Sequence, residues 1–139
     1  MICAVDSSVL IAALRTSEPS HAASVTVLDR GGLLAHVHVL AETFSALTGG
    51  RILPRVSASQ AALLIRSGIM PFISTAGLSA REYLAAMEEA EARGVRGGGI
   101  HDFLHLFAAK RRKAQRFYTL DTVDFQSFHR PGDPEIVHP

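Results

Sequence analysis

Short apolar runs alternate along the chain with segments in which apolar residues recur at helical spacing. The runs predict strands that are buried on both faces, as in a parallel sheet covered by helices. They cover residues 2–5, 33–37, 69–73 and 117–120, with a short fifth run at residues 135–137. Pro71 favours an edge position for the third strand, because proline cannot donate a ladder hydrogen bond.

The segments between these runs predict helices whose ends carry recognisable signals. Ser7 or Ser8 can cap the first helix, Pro19 suits the first turn of the second, and Ser79 with Glu82 forms a capping box. The predicted helices cover residues 9–14, 19–28, 39–48, 57–68, 79–92 and 101–113. Strands that alternate with helices imply right-handed crossovers, so we expect an α/β fold with a mainly parallel sheet of four or five strands.

Composition narrows the class of protein. With 47% apolar and 19% charged residues, the chain is typical of one globular domain over residues 1–139. Cys3 is the only cysteine, which excludes an internal disulfide, and its apolar neighbours predict a core position. No apolar stretch approaches the roughly 20 residues of a membrane span, and no targeting signal is recognisable. We therefore expect a cytoplasmic protein without membrane contact.

Four acidic residues fall at related positions of the predicted elements. Asp6 and Asp121 directly follow the first and fourth strands, and the carboxyl ends of parallel strands are where ligands bind in α/β sheets. Glu42 and Asp102 begin helices and point away from their apolar stripes. Taken singly, each acid also fits a cap, a turn or a solvent-facing position near a helix dipole. Because all four acids are predicted at the same edge of the sheet, we expect their carboxylates to form a cluster.

Such a cluster has a specific chemistry. Neighbouring carboxylates raise one another's pKa values, and a divalent cation relieves that repulsion. Oxygen ligands favour Mg²⁺ or Mn²⁺ over zinc. The residues therefore predict metal-assisted hydrolysis of a phosphate ester, with either one ion or two.

Four segments carry a resemblance to a known family. They are Val-Asp-Ser-Ser-Val-Leu at 5–10, Leu-Ala-Glu-Thr-Phe-Ser-Ala-Leu at 40–47, Ile-His-Asp-Phe-Leu at 100–104 and Tyr-Thr-Leu-Asp-Thr-Val-Asp-Phe at 118–125. In order and separation the chain resembles PIN-domain proteins, and among them the VapC-type toxins of toxin–antitoxin pairs. The resemblance extends over nearly the whole chain.

The resemblance implies a three-layer α/β/α sandwich and an Mg²⁺- or Mn²⁺-dependent endoribonuclease. It also implies an RNA substrate, a cognate antitoxin and a homodimer. The implied metal ligands are Asp6, Glu42, Asp102 and Asp121, with Asp124 replacing or assisting Asp121, and the implied supporting hydroxyls are those of Ser7 and Thr119. A non-catalytic PIN module, a DNA nuclease and a phosphatase remain alternatives.

Three further signals have more than one interpretation. His101 and His105 imitate a zinc-binding helix with Asp102 in place of glutamate, but they also fit partly exposed positions on a helix face. Gly97–Gly99 lacks the residues of a phosphate-binding loop and predicts a mobile connection. A basic run predicts either a contact to the RNA backbone or cations that stabilise a helix end; it comprises Lys110, Arg111, Arg112, Lys113 and Arg116.

Overall fold

A computed structural model describes residues 1–51 and 53–139. Its five strands pair in parallel in the order β3-β2-β1-β4-β5. The strands are β1 Cys3–Val5, β2 Leu33–His36, β3 Ile73–Ala76, β4 Arg116–Tyr118 and β5 Glu135–Val137. The predicted parallel sheet is confirmed. In its centre, Val5 of β1 lies opposite Tyr118 of β4, so both strands end at the same edge.

Seven α-helices connect the strands in the described part of the chain. They are α1 Ser7–Leu14, α2 His21–Leu28, α3 Val39–Gly49, α4 Ala58–Gly68, α5 Ala80–Ala90, α6 Gly99–Arg111 and α7 Thr122–Phe128. The predicted capping box of Ser79 and Glu82 begins α5, and Ser57 with Gln60 forms another at α4. Asp6, rather than the predicted Ser7 or Ser8, caps α1. None of the described helices is both long and apolar enough to span a membrane.

Helices cover both faces of the sheet, which confirms the three-layer prediction. On one face, Ala4 and Phe117 pack with Phe103, Phe107 and Phe125 from α6 and α7. Alternate strand residues point to the other face, as the two-residue period of a strand requires. There the core consists mainly of residues from β1 to β4 and helices α1 to α3, including Val5, Leu33, Tyr118, Leu10 and Val39.

The third strand begins later than the sequence predicts. Residues 70–72, including Pro71, form a 3₁₀ turn, and β3 starts only at Ile73. Ile69 and Ile73 are both buried, and a helical turn brings residues four apart to the same side. A short apolar run does not distinguish this arrangement from a strand. As predicted, however, the strand after Pro71 lies at an edge of the sheet.

Other differences concern the ends of elements. Pro19 lies in the turn before α2, which begins at His21. Helix α6 begins at Gly99, two residues before the predicted start. Helix α7 is not among the predicted helices, although it directly follows Asp121. Cys3 is half-buried in β1 and packs against the core between the sheet and α1 to α3.

Candidate active site

Asp6 is held at the end of β1 by hydrogen bonds to both carboxylate oxygens. Oδ1 accepts from the Ser8 backbone at 3.1 Å and from the Ser8 hydroxyl at 2.6 Å, while Oδ2 accepts from the Thr119 hydroxyl at 2.7 Å. The side chain is almost fully buried, with 3% exposure. Burial raises the pKa of Asp6 to about 6, against the opposing effect of these hydrogen bonds.

The hydroxyl that supports Asp6 from α1 belongs to Ser8 and not to Ser7, which corrects the sequence prediction. The reason is the cap geometry, since an N-cap side chain bonds to the second or third residue of its helix. Ser8 Oγ also accepts from the Leu120 backbone at 2.9 Å, and Thr119 Oγ1 accepts from the Asp121 backbone at 3.0 Å. These bonds tie the end of β1 to the chain that follows β4, so the predicted support by Thr119 has a geometric basis.

Glu42 reaches the same region from the first turn of α3. Its Oε1 accepts a hydrogen bond of 2.5 Å from His105 Nε2 on α6. Burial acts to raise the pKa of Glu42, but the hydrogen bond and the electrostatic effect of His105 outweigh burial and lower it. His105 itself is 2% exposed, so the predicted partly exposed position is wrong for this residue. It lies on the face of α6 that packs against β2.

Asp102 interacts electrostatically with three other acids of this edge. Burial raises its pKa, and Asp121, Glu42 and Asp124 add to the increase. Partial burial and the charge of Asp124 raise the pKa of Asp121, and Asp121 in turn raises that of Asp6. The five acids predicted from the sequence therefore act on one another, although they come from four separate segments of the chain.

An open cleft of about 310 Å³ adjoins Asp102 and Asp124. The turn from Gly94 to Gly99 and the end of α7 form its walls, and Arg96 is among the residues that line it. Arg96 was not predicted as a site residue, because a single exposed arginine in a glycine-rich loop has no distinguishing pattern. The cleft is thus lined by two acids and by one arginine, a residue type that suits a phosphate.

The donor set fits a hard divalent cation. Five carboxylates supply only oxygen ligands. Burial first and repulsion second raise the pKa values of Asp102 and Asp121, and such a cation relieves the repulsion. In residues 1–51 and 53–139, no three His, Cys, Asp or Glu side chains converge closely enough to enclose an ion. The fit therefore lies in the type and charge of the ligands.

The basic run lies at the other end of α6 from Asp102. Lys110 pairs with Asp133 at 2.9 Å, Arg111 with Glu82 at 3.3 Å, and Arg116 with Glu135 at 3.2 Å. Arg112 donates to the carbonyl of Gly77 at 3.4 Å, and Lys113 is exposed just beyond the helix. The positions favour cations that stabilise a helix end, while a contact to the RNA backbone stays a prediction.

Three solved structures have a similar fold. Mycobacterium tuberculosis VapC20, a Sarcin-Ricin loop cleaving toxin, is 19% identical; the match covers 95% of this chain and 99% of that one, with a TM-score of 0.71. Rickettsia felis VapBC2 bound to a promoter DNA fragment is 17% identical, covering 99% and 98%, with a TM-score of 0.64. Neisseria gonorrhoeae FitAcB is 17% identical, covering 98% and 96%, with a TM-score of 0.62.

At these identities the likeness concerns the fold. No curated protein matches the sequence significantly. The model of the PIN domain family matches residues 3–130, which is most of the chain. With its parallel sheet and the acids at the ends of its strands and helices, this chain belongs to the PIN domain family.

Proposed function

We propose that this protein is an Mg²⁺- or Mn²⁺-dependent endoribonuclease and the toxin of a VapBC-type pair. The observation that carries the proposal is the group of five mutually interacting acids at the carboxyl edge of the sheet. A nuclease of this kind needs oxygen ligands at a place that a phosphodiester can reach. The open cleft beside Asp102 and Asp124 offers such access.

The acids have two roles in this proposal. Asp6, Glu42, Asp102 and Asp121 would hold the cation, and Asp124 would assist from the wall of the cleft. When bound, the cation would supply the charge that activates water and stabilises the phosphodiester in the transition state. The protein keeps the acids in position through Ser8 and Thr119 at Asp6, and through His105 at Glu42.

Arg96 extends the proposed site toward the substrate. It lines the same cleft as Asp102 and Asp124. Guanidinium groups bind phosphate oxygens in a bidentate manner. We assign Arg96 to binding of an RNA phosphate next to the cleaved bond, whereas the basic run at the far end of α6 would meet only a more distant part of the RNA.

The substrate and the partner are suggested by structural neighbours. VapC20 is a Sarcin-Ricin loop cleaving toxin, which supports a structured RNA as substrate. VapBC2 and FitAcB support a small antitoxin as partner, and a homodimer completes the proposal. A short open reading frame beside the gene, encoding a protein that copurifies with this chain, would support the toxin assignment.

The decisive experiment compares three substrates with the purified protein. Labelled structured RNA, DNA of the same sequence and a chromogenic phosphate ester are incubated with Mg²⁺ or Mn²⁺, with and without chelator. We expect the protein to cleave RNA at internal phosphodiester bonds. Chelator should abolish this activity, and Asp102→Asn should lower its rate about 100-fold or more. Asp29→Asn, an exposed acid at the end of α2, serves as the matched control.

Each contrary result would indicate a different function for this protein. Full activity of Asp102→Asn, or cleavage that ignores the chelator, would contradict the proposal. Preference for DNA or for the ester would indicate another metal-dependent hydrolase. RNA binding without any cleavage would indicate a non-catalytic PIN module.

A further inference from the structure

Four of the seven histidines meet beside the acidic edge. His36 ends β2, His38 precedes α3, and His101 and His105 lie one turn apart on α6. The ring centroids of His36 and His105 are 5.4 Å apart, and those of His38 and His101 are 5.8 Å apart. The first pair is buried, whereas the second pair is exposed.

A cavity of about 170 Å³ opens between these histidines and α5. His36, His38, His101 and Tyr83 give it aromatic walls, while Met87 and Leu104 add apolar surface. This volume equals that of a few water molecules, at about 30 Å³ each, and falls below the roughly 300 Å³ at which pockets for drug-sized ligands begin. The cavity therefore suits a single small ring system.

His36 is a buried polar residue in the wall of this cavity. Its side chain is 4% exposed, and neither Nδ1 nor Nε2 has a hydrogen-bond partner among the described residues. Burial, together with His105 and His38, lowers the pKa of His36 to about 4, so the ring is neutral near pH 7. A neutral imidazole offers one donor and one acceptor. Leaving both unsatisfied in a buried place is costly, which a ligand with complementary groups would relieve.

The cavity lies directly beside the acids. His101 immediately precedes Asp102, and His38 precedes Glu42 by one helical turn. His38 also lines a larger depression that runs along α3 past Glu42. A strand of RNA with a phosphate at the acidic edge therefore has a neighbouring base within reach of the cavity.

We propose that the cavity binds one unstacked nucleobase of the substrate and thereby selects the RNA sequence at the cut. This inference rests on the proposed function, because it takes RNA as the substrate of the acidic edge. Proteins recognise single-stranded RNA by stacking splayed bases on aromatic rings, including histidine, and by hydrogen bonds to base edges. The walls of the cavity provide the stacking surface, and His36 provides the hydrogen bonds.

A bound metal ion fits these histidines less well than a base. His105 Nε2 is already engaged by Glu42, and no three potential ligands converge in the described residues. Met87 and Leu104 border the space with apolar groups, which a base tolerates on its faces. Zinc binding is nevertheless retained as a distinguishable outcome of the test.

The test uses the four ribonucleosides, which carry no phosphate and require no cation. Histidine ring signals are followed by NMR while each nucleoside is added to the full chain. We expect a saturable shift of the His36 and His101 signals with a Kd on the order of 1 mM, tighter for one base than for the others. The signal of His129, which bonds to the Pro134 carbonyl, should not move.

Two variants locate the binding. His36→Phe keeps an aromatic ring but removes both nitrogens, and should weaken the preferred nucleoside about tenfold. Met87→Trp fills the cavity from the half-exposed face of α5 and should abolish binding. Leu84→Trp is its matched control on the same helix, because Leu84 is exposed and does not line the cavity.

The outcomes separate this inference from the proposed function. No saturable shift up to about 10 mM of any nucleoside, or unchanged binding in both variants, overturns the base cavity even if RNA is cleaved. Zinc bound by these histidines in place of nucleosides also overturns it. Nucleoside binding without RNA cleavage would support the base-binding cavity and contradict the proposed nuclease function. If both hold, the ends of cleaved RNA show a base preference that His36→Phe relaxes.

Discussion

Replacing Asp6 with asparagine should stabilise the protein while it abolishes the proposed activity. Asp6 is almost fully buried, and its burial disfavours the ionised form. Asn has nearly the same shape and keeps an oxygen for the two bonds from Ser8. Asn carries no charge, however, so the folded variant is free of the destabilisation that a buried carboxylate causes.

The magnitude follows from the pKa of Asp6. Burial raises it from an ordinary value of 3.8 to about 6. Because a tenfold change in an equilibrium constant is about 1.4 kcal/mol, ionising Asp6 costs the folded protein about 3 kcal/mol relative to the unfolded chain. Part of this is offset in the variant, since the Asn amide faces the Thr119 hydroxyl that now bonds to Asp6. We expect a net gain of about 1–2 kcal/mol at pH 8.

The sign of the pH dependence is fixed by the direction of this change. Between about pH 4 and pH 6 the folded protein retains the Asp6 proton that the unfolded chain has lost, so stability falls as pH rises. Above pH 6 both states are ionised and the slope from this residue vanishes. Below pH 4 Asp6 is protonated in both the folded and the unfolded state, so its ionisation no longer destabilises the protein.

Urea unfolding of the two proteins in chelator, at several pH values from 4 to 8, measures this difference. The free energy of unfolding of Asp6→Asn should exceed that of the native protein by an amount that grows up to about pH 6 and then stays constant. Adding Mg²⁺ should stabilise the native protein more than the variant. A difference that does not change with pH would refute the reasoning, as would a variant that is less stable at pH 8.

Two pairs of substitutions test a support of the site and the end of α3 by thermal or urea unfolding. Ser8→Ala removes the hydroxyl that bonds to Asp6 and to the Leu120 backbone, and should lower stability by about 1–3 kcal/mol, whereas Ser7→Ala should change it by less than about 0.5 kcal/mol. Gly50→Ala places a Cβ 2.6 Å from the Ala46 carbonyl oxygen and should cost about 1–3 kcal/mol. Gly49→Ala, in α3 with open space around it, should instead gain up to about 1 kcal/mol. Equal effects within either pair would contradict these assignments.

The sheet and most helices were predictable because their signals are local. Apolar runs located β1, β2 and β4 to within two residues, and the capping pattern of Ser79 and Glu82 marked the start of α5. Helix α7 escaped prediction because it has only seven residues, and its Val123 is 83% exposed. Its stability comes from Phe125 and Phe128, which pack into a core that only the complete fold creates.

The edge of the sheet at which the acids lie was predictable, but the contacts that hold them there were not. Adjacent parallel strands bring Asp6 and the chain after Tyr118 together, so topology alone locates the edge. The choice of Ser8 over Ser7 depends on cap geometry, which spacing does not reveal. The contact of His105 with Glu42 depends on how α6 packs against β2 and α3, and therefore on residues 63 positions apart.

Helices α3 and α6 each position one acid and at least one histidine, and under the proposed function this arrangement separates catalysis from recognition. A side chain next to Asp102 or one turn before Glu42 can change without moving either carboxylate, because the helix backbone fixes both positions. Under the proposed function, the acids carry out the hydrolysis. Under the further inference, His36, His38 and His101 select the base at which the RNA is cut.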